Sequence, residues 1–169
     1  MTQQHTAKVG WKPGQYRVID PYIVVKGAAG FIDFLKAAFN ATEDMRVPNP
    51  DGTIGHAEVR VGDAVLLMFD SRDKWPATPA FLRIYVEDAD RAYEAAIKAG
   101  GVSVTDLMDS FLGERGGRVR DPFGNVWWII SRIEELTPEE IGKRAGEEKY
   151  MKGMKIAEET FDKEMRSRA

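Results

Sequence analysis

Few side chains of this sequence could do chemistry, and the first candidates stand two residues apart. His56 and Glu58 share a face if their segment is a strand, because alternate strand residues point the same way. Such a pair could act as acid and base or supply two metal ligands. No third ligand stands beside the pair, and a short strand can equally carry both residues into solvent. The other histidine, His5, lies in a polar leader that we expect to be irregular.

Arginines form the second group of candidates. Arg83 stands in the strand-like stretch FLRIY, so it shares a face with Phe81 and Tyr85. An arginine flanked by aromatic rings can pair with a carboxylate or stack on a flat ring. Three further arginines, at positions 115, 118 and 120, could contact an acidic ligand, although such a run is also typical of a solvated surface.

The composition excludes several kinds of chemistry. Cysteine is absent, so there is no disulfide, no thiol nucleophile and no thiolate-bound zinc or iron–sulfur cluster. The net charge of −3 argues against nucleic acid or anionic lipid as the main partner. No run approaches the roughly 18 apolar residues of a membrane span. The N-terminus has no apolar segment typical of a signal peptide. We therefore expect a cytoplasmic protein.

Strand and helix patterns occur twice in the same order. The predicted elements of the first copy are a strand at 16–25, a helix at 28–39 and strands at 56–61 and 64–69. Those of the second are a strand at 81–86, a helix at 89–99 and strands at 102–104, 117–120 and 125–131. Asp20 aligns with Phe81 at an offset of 61, and Arg72 with Arg132 at an offset of 60. The repeat predicts an α+β fold of two βαβββ modules, whose uncovered sheet faces form a cup.

The predicted organisation has four parts. Residues 1–15 form the leader, 16–72 the first module, 80–132 the second module, and 134–169 a C-terminal helical extension. Thr137, Pro138 and Glu140 are typical of a capped helix start. An apolar seam follows at spacings of three and four, made of Tyr150, Met154, Ala157, Phe161 and Met165. The seam could dock on the protein's own body or across a dimer.

The second module resembles a known family. The segments VEDADRAYEAAIKAGG and GERGGRVRDPFGNVWWI are similar to the second module of the vicinal oxygen chelate superfamily, in its glyoxalase-like and bleomycin-resistance-like branch. The resemblance implies paired βαβββ modules that often form homodimers. It also implies, for the enzymes of the family, a divalent metal in the cup, bound by residues of the first and last strands of each module.

The implied metal ligands do not carry over to this sequence. Their positions fall at or near Asp20, at Phe81, at Trp128, and at Met68, or at Leu67 if the hairpin register slips by one. Apolar side chains are not ligands for such a metal. We therefore predict no metal site and no cofactor, and a cup suited to a flat aromatic ligand. The predicted ligand-binding residues are Tyr22, Met68, Phe81, Arg83, Tyr85 and Trp128, with Arg83 paired either with Asp20 or with an anionic group of the ligand.

The leading functional hypothesis is metal-free binding of a small aromatic or amphipathic molecule in the cup. One alternative is a lyase, isomerase or dioxygenase acting there. It would use a metal held by misregistered ligands such as His56, Glu58 or Glu114, or no metal and Arg83 with Asp20 or Glu114. A further alternative is an interaction protein that uses the C-terminal helix. The sequence leaves it open whether any reaction is catalysed.

Overall fold

The computed structural model describes residues 10–168. Its helices are α1 (Ala28–Phe39), α2 (Ala89–Lys98), α3 (Pro138–Ala145) and α4 (Glu148–Arg166). Its strands are β1 (Tyr22–Val25), β2 (Thr42–Pro48), β3 (Ile54–Val61), β4 (Ala64–Asp70), β5 (Phe81–Tyr85), β6 (Val102–Asp109), β7 (Glu114–Arg120) and β8 (Val126–Arg132). Residues 10–15 contain neither helix nor strand, and the rest of the predicted leader, with His5, lies outside the described residues.

The two repeats form two four-stranded sheets of identical topology. The first sheet has the order β1-β4-β3-β2 and the second β5-β8-β7-β6. In each sheet the first strand of the module lies parallel to the last, and the remaining neighbours are antiparallel. The predicted α+β fold of two βαβββ modules is confirmed.

Strand boundaries differ from the prediction where local chemistry overrides the pattern. β1 begins at Tyr22 rather than at Tyr16, because Pro21 has no N–H to donate and the Arg17 N–H bonds to the Asp20 carboxylate (3.0 Å). β7 begins at Glu114 rather than at Gly117. A Cβ at Gly117 would lie 2.8 Å from the carbonyl oxygen of Thr105, so glycine is what permits the close pairing of β7 with β6.

One hydrophobic core joins the two modules on the helix-covered side of both sheets. Phe31 and Leu35 of α1 are fully buried in it, and α1 packs against α2. The Trp127 ring of β8 lies 4.8 Å from the Phe39 ring, measured between centroids. Burial of these aromatic side chains fixes the face that β8 turns toward the helices. The face opposite α1 and α2 is called the open face of each sheet below.

The register of β4 corrects one prediction. Met68, predicted to line the cup, pairs with Ile23 and is fully buried in the core on the helix side. The open face of β4 instead carries Leu67 and Phe69, by alternation. The assumed offset of 60 between the closing strands was therefore wrong by one residue, and a shift of one residue moves every side chain of a strand to the other face.

The C-terminal extension forms two helices. Thr137 caps α3 in a reciprocal capping box with Glu140, as the sequence predicts. Gly146 ends α3, and α4 then runs across the open face of the second sheet and contacts β6. The apolar seam thus docks on the protein's own body. None of the helices within residues 10–168 combines the length and apolar character needed to cross a membrane.

Candidate functional site

A cavity of about 1000 Å³ lies between the open face of the second sheet and α4. Strands β6, β7 and β8 form its floor, and α4 forms its roof. Its apolar walls include Met108, Leu112, Trp128, Ile130, Met154 and Phe161. Ligand pockets for small molecules span roughly 300–1,000 Å³ and have mostly apolar walls with a few polar groups. This cavity has both properties.

Helix α4 is held over the sheet by apolar and polar contacts together. All five residues of the predicted seam line the cavity. The Phe161 ring lies 4.8 Å from the Phe81 ring, between centroids. Two polar attachments accompany this packing: the hydroxyls of Thr160 and Thr105 share a hydrogen bond of 2.8 Å, and Arg120 Nη1 donates to Glu164 (3.2 Å). The roof is therefore attached to the sheet through the C-terminal half of α4.

Arg118 projects from β7 into the space between sheet and roof. Its Nη1 donates to the carbonyl oxygen of Ala157 in α4 (2.8 Å), and its Cζ lies 4.8 Å from the Trp128 ring centroid and 4.9 Å from that of Phe161. Its Nε is buried and has no hydrogen-bond partner among residues 10–168. Burial lowers the pKa of the guanidinium, although arginine stays protonated at any ordinary pH.

Arg83 lies on the predicted open face and forms an ion pair with Glu114, a carboxylate that was predicted to act with it only in the metal-free enzyme alternative. Its Nη2 lies 2.8 Å from both carboxylate oxygens of Glu114, which also accepts a hydrogen bond from Tyr85 (2.7 Å). That hydrogen bond raises the pKa of the Tyr85 phenol. The pairing with Asp20 was wrong, since Asp20 accepts from the backbone of Arg17 in the segment before β1.

The first sheet carries a separate polar network on its open face. His56 Nδ1 lies 2.9 Å from the Tyr22 hydroxyl, and His56 Nε2 lies 3.2 Å from Glu58. Tyr16 donates to Glu58 (2.6 Å), and this hydrogen bond lowers the pKa of the Glu58 carboxyl. None of these residues lines the cavity.

The donor groups present do not fit the family's metal. The open-face positions of the first and last strands carry tyrosine, phenylalanine, tryptophan, leucine, valine, isoleucine and two arginines. None is an ordinary ligand for a divalent cation in the cup. His56, Glu58 and Glu114 do not form such a site either. Within residues 10–168, no three histidine, aspartate or glutamate side chains cluster as a metal site.

The predicted ligand-binding residues occupy three different environments. Trp128 lines the cavity directly. Phe81 contacts the Trp128 and Phe161 rings, while Arg83 and Tyr85 are joined to cavity-lining Glu114. Tyr22 lies on the first sheet, apart from the cavity, and Met68 lies in the core. The structure therefore brings four of the six together on the open face of the second sheet.

Arg118 and the α4 residues were not among the predicted ligand-binding residues, although Arg118 is one of the three arginines that could contact an acidic ligand. Arg118 pairs across strands with Trp128, which pairs in turn with Arg83, so one row of the sheet carries two arginines flanking an indole. Aligning β7 with β8 across the Asp121–Asn125 turn could have revealed this row. The docking of α4 on the same face has no comparable local indication.

Comparisons with known proteins agree with this architecture. Residues 9–129 match the family model described as glyoxalase/bleomycin resistance protein/dioxygenase superfamily, so α3 and α4 lie beyond the matched region. Uncharacterized proteins of Mycobacterium bovis and Mycobacterium tuberculosis are each 35% identical to this chain over 134 residues. The alignment covers 73% of this chain, 88% of the M. bovis protein and 79% of the M. tuberculosis protein.

Solved structures of other proteins share this fold. TioX from Micromonospora sp. ML1 aligns with a TM-score of 0.57 at 21% identity, over 72% of this chain and 100% of its own. A glyoxalase/bleomycin resistance protein/dioxygenase from Nocardioides aligns with a TM-score of 0.53 at 17% identity, over 78% of this chain and 91% of its own. The two βαβββ modules, the shared topology of their sheets and the extent of the family match lead to one conclusion. This chain belongs to the glyoxalase/bleomycin resistance protein/dioxygenase superfamily, a vicinal oxygen chelate family.

Proposed function

We propose that the protein binds a small aromatic or amphipathic molecule, without a metal ion, in the cavity between the second sheet and α4. The observation that carries the proposal is the cavity itself, with its volume of about 1000 Å³ and its walls of tryptophan, phenylalanine, isoleucine and methionine. Burial of a flat ring against such walls stabilises a complex by roughly 25 cal/mol per Å² of apolar surface removed from water. Methionine side chains such as Met108 and Met154 adapt to ligands of different shape.

The binding function is favoured over catalysis in the same cavity. The two carboxylates of the cavity floor are already engaged, Glu114 by Arg83 and Tyr85 and Asp109 by Arg115, so both are poorly placed to act as a base. The binding function is also favoured over a protein-interaction role of the tail, because the apolar seam of α4 faces the protein's own sheet.

The experiment is a fluorescence titration with N-phenyl-1-naphthylamine, a neutral aromatic probe. The test variant is Gly153→Phe in α4. A Cβ at Gly153 would lie 3.5 Å from Met108 Sδ, so the new ring enters the cavity. The matched control is Gly142→Phe in α3, where a Cβ meets no described atom within 4 Å.

We expect micromolar binding to the wild type, a loss of affinity of at least about tenfold in Gly153→Phe (about 1.4 kcal/mol), and little change in Gly142→Phe. Absence of probe binding to the wild type contradicts the proposal. Equal affinities of the two variants would assign the probe to another surface and also contradict it.

A further inference from the structure

We propose that the molecule bound in the cavity carries an anionic group, such as a carboxylate or sulfonate, which pairs with Arg118. The inference rests on the proposed binding function and names the chemical class of its ligand: a flat aromatic acid. Its basis is a half-buried guanidinium at the cavity wall that forms no ion pair with any carboxylate among residues 10–168.

The hydrogen bonds of Arg118 leave one edge of its guanidinium unused. Nη1 donates to the Ala157 carbonyl (2.8 Å) and to the Thr105 hydroxyl (3.2 Å). Nη2 makes no hydrogen bond within the described chain, and Nε is an orphaned buried donor. A buried charge is costly unless it is paired and hydrogen-bonded. Because Nε is sealed from solvent, we assign the contact with the ligand's anion to Nη2.

The other charges around the cavity are already neutralised or lie in solvent. On the floor, Asp109 pairs with Arg115 and Glu114 pairs with Arg83. On α4, the remaining lining charges form the pairs Lys155–Glu159 and Asp162–Arg166, apart from Glu158, which is exposed. Arg118 is therefore the one inward charge of the cavity walls without a counter-ion in the described chain. A ligand that brings an anion supplies that counter-ion, and a cationic ligand is repelled.

The rings beside Arg118 define the rest of the ligand. Trp128 and Phe161 contact the guanidinium on the cavity wall, with Ile130 as a further apolar neighbour on the floor. An aromatic ring can pack against these side chains while its acidic substituent reaches Nη2. Charge-assisted hydrogen bonds of this kind contribute more than neutral ones.

A purely structural role of Arg118 makes a different prediction. If Arg118 only holds α4 through Ala157, the donated hydrogen bond matters and the charge does not. Arg118→Gln separates the two roles. It removes the positive charge and shortens the side chain, so a structural role predicts that neutral and anionic probes both lose affinity, whereas a charge role predicts that only an anionic probe does. Arg60→Gln is the matched control. It removes the same charge from β3 of the first sheet, where Arg60 pairs with Asp44 and does not line the cavity.

The experiment compares 8-anilinonaphthalene-1-sulfonate with neutral N-phenyl-1-naphthylamine, which has the same aromatic framework without the sulfonate. We expect Arg118→Gln to weaken sulfonate binding by about tenfold or more and to leave neutral-probe binding within about twofold. Arg60→Gln should change neither, and Arg118→Lys should retain most of the sulfonate affinity. Thermal unfolding checks that each variant is folded, and Arg118→Met replaces Arg118→Gln if the latter is not.

Each outcome decides one question. If sulfonate affinity is unchanged in Arg118→Gln, or falls equally in Arg60→Gln, while the neutral probe still responds to Gly153→Phe, the anion inference is wrong and the proposed function stands. A parallel loss of both probes in folded Arg118→Gln also overturns the inference, because it shows an effect on the cavity and not on charge. If neither probe binds the wild type, the proposed function fails as well.

Discussion

Replacing Arg83 by leucine tests the reassignment of this residue from ligand anchor to structural partner of Glu114. The side chains of Arg83 and Glu114 are 40% and 14% exposed, so the ion pair is intermediate between surface and interior. Exposed pairs contribute about 0.2–1 kcal/mol, and removal of one partner of a buried pair costs about 3–5 kcal/mol. We therefore expect Arg83→Leu to lower the free energy of unfolding by about 1–2 kcal/mol, with Glu114 left to the Tyr85 hydroxyl alone.

The assay is a double-mutant cycle measured by urea unfolding. Glu114→Gln removes the unpaired charge and should restore part of the stability lost in Arg83→Leu, with a coupling energy of about 1 kcal/mol. Asp20→Asn is the control and should restore none, because Asp20 bonds to the backbone of Arg17. A coupling energy near zero between Arg83 and Glu114, or rescue by Asp20→Asn, would refute the reasoning.

Three further predictions follow from the described contacts. Asp121→Ala should destabilise the protein by about 3 kcal/mol in urea unfolding. Asp121 is 2% exposed, and its carboxylate accepts hydrogen bonds from the Asn125 amide, from the Trp127 indole and from two backbone N–H groups. A loss of stability below about 1 kcal/mol would contradict this prediction. Chelator treatment should leave the melting temperature unchanged, and a drop that one added metal reverses would show a metal site. The exposed Tyr22 of β1 and the exposed Trp75 of the loop between β4 and β5 predict a homodimer in sedimentation velocity at micromolar concentration. A monomer would contradict this prediction.

The fold was predictable because its determinants are local and repeated. The strand and helix patterns occur twice, the Asp121–Asn125 turn closes the last hairpin, and Thr137 with Glu140 caps α3. Each depends on neighbouring residues and on periodicity, which a sequence shows directly. Register is different. Nothing local fixed the parity of β4 relative to β1, so Met68 was placed on the wrong face by a shift of one residue.

The site was less predictable because its contacts join distant segments. Glu114 lies 31 residues from Arg83, and Ala157 lies 39 residues from Arg118. The apolar seam of α4 was visible in the sequence, but the surface that it covers was not, since docking depends on the three-dimensional arrangement of both partners. The run of arginines that contains Arg118 could have been a solvated surface. Because α4 lies over the second sheet, Arg118 lines a cavity instead.

The most direct test of the central claim is a crystal structure of the protein grown with N-phenyl-1-naphthylamine. We predict electron density for the naphthyl ring between β8 and α4, in contact with Trp128 and Met154, with α4 retained over the sheet. Density for the probe confined to the first sheet, or a cavity between β8 and α4 that holds only solvent at a saturating probe concentration, would contradict the account.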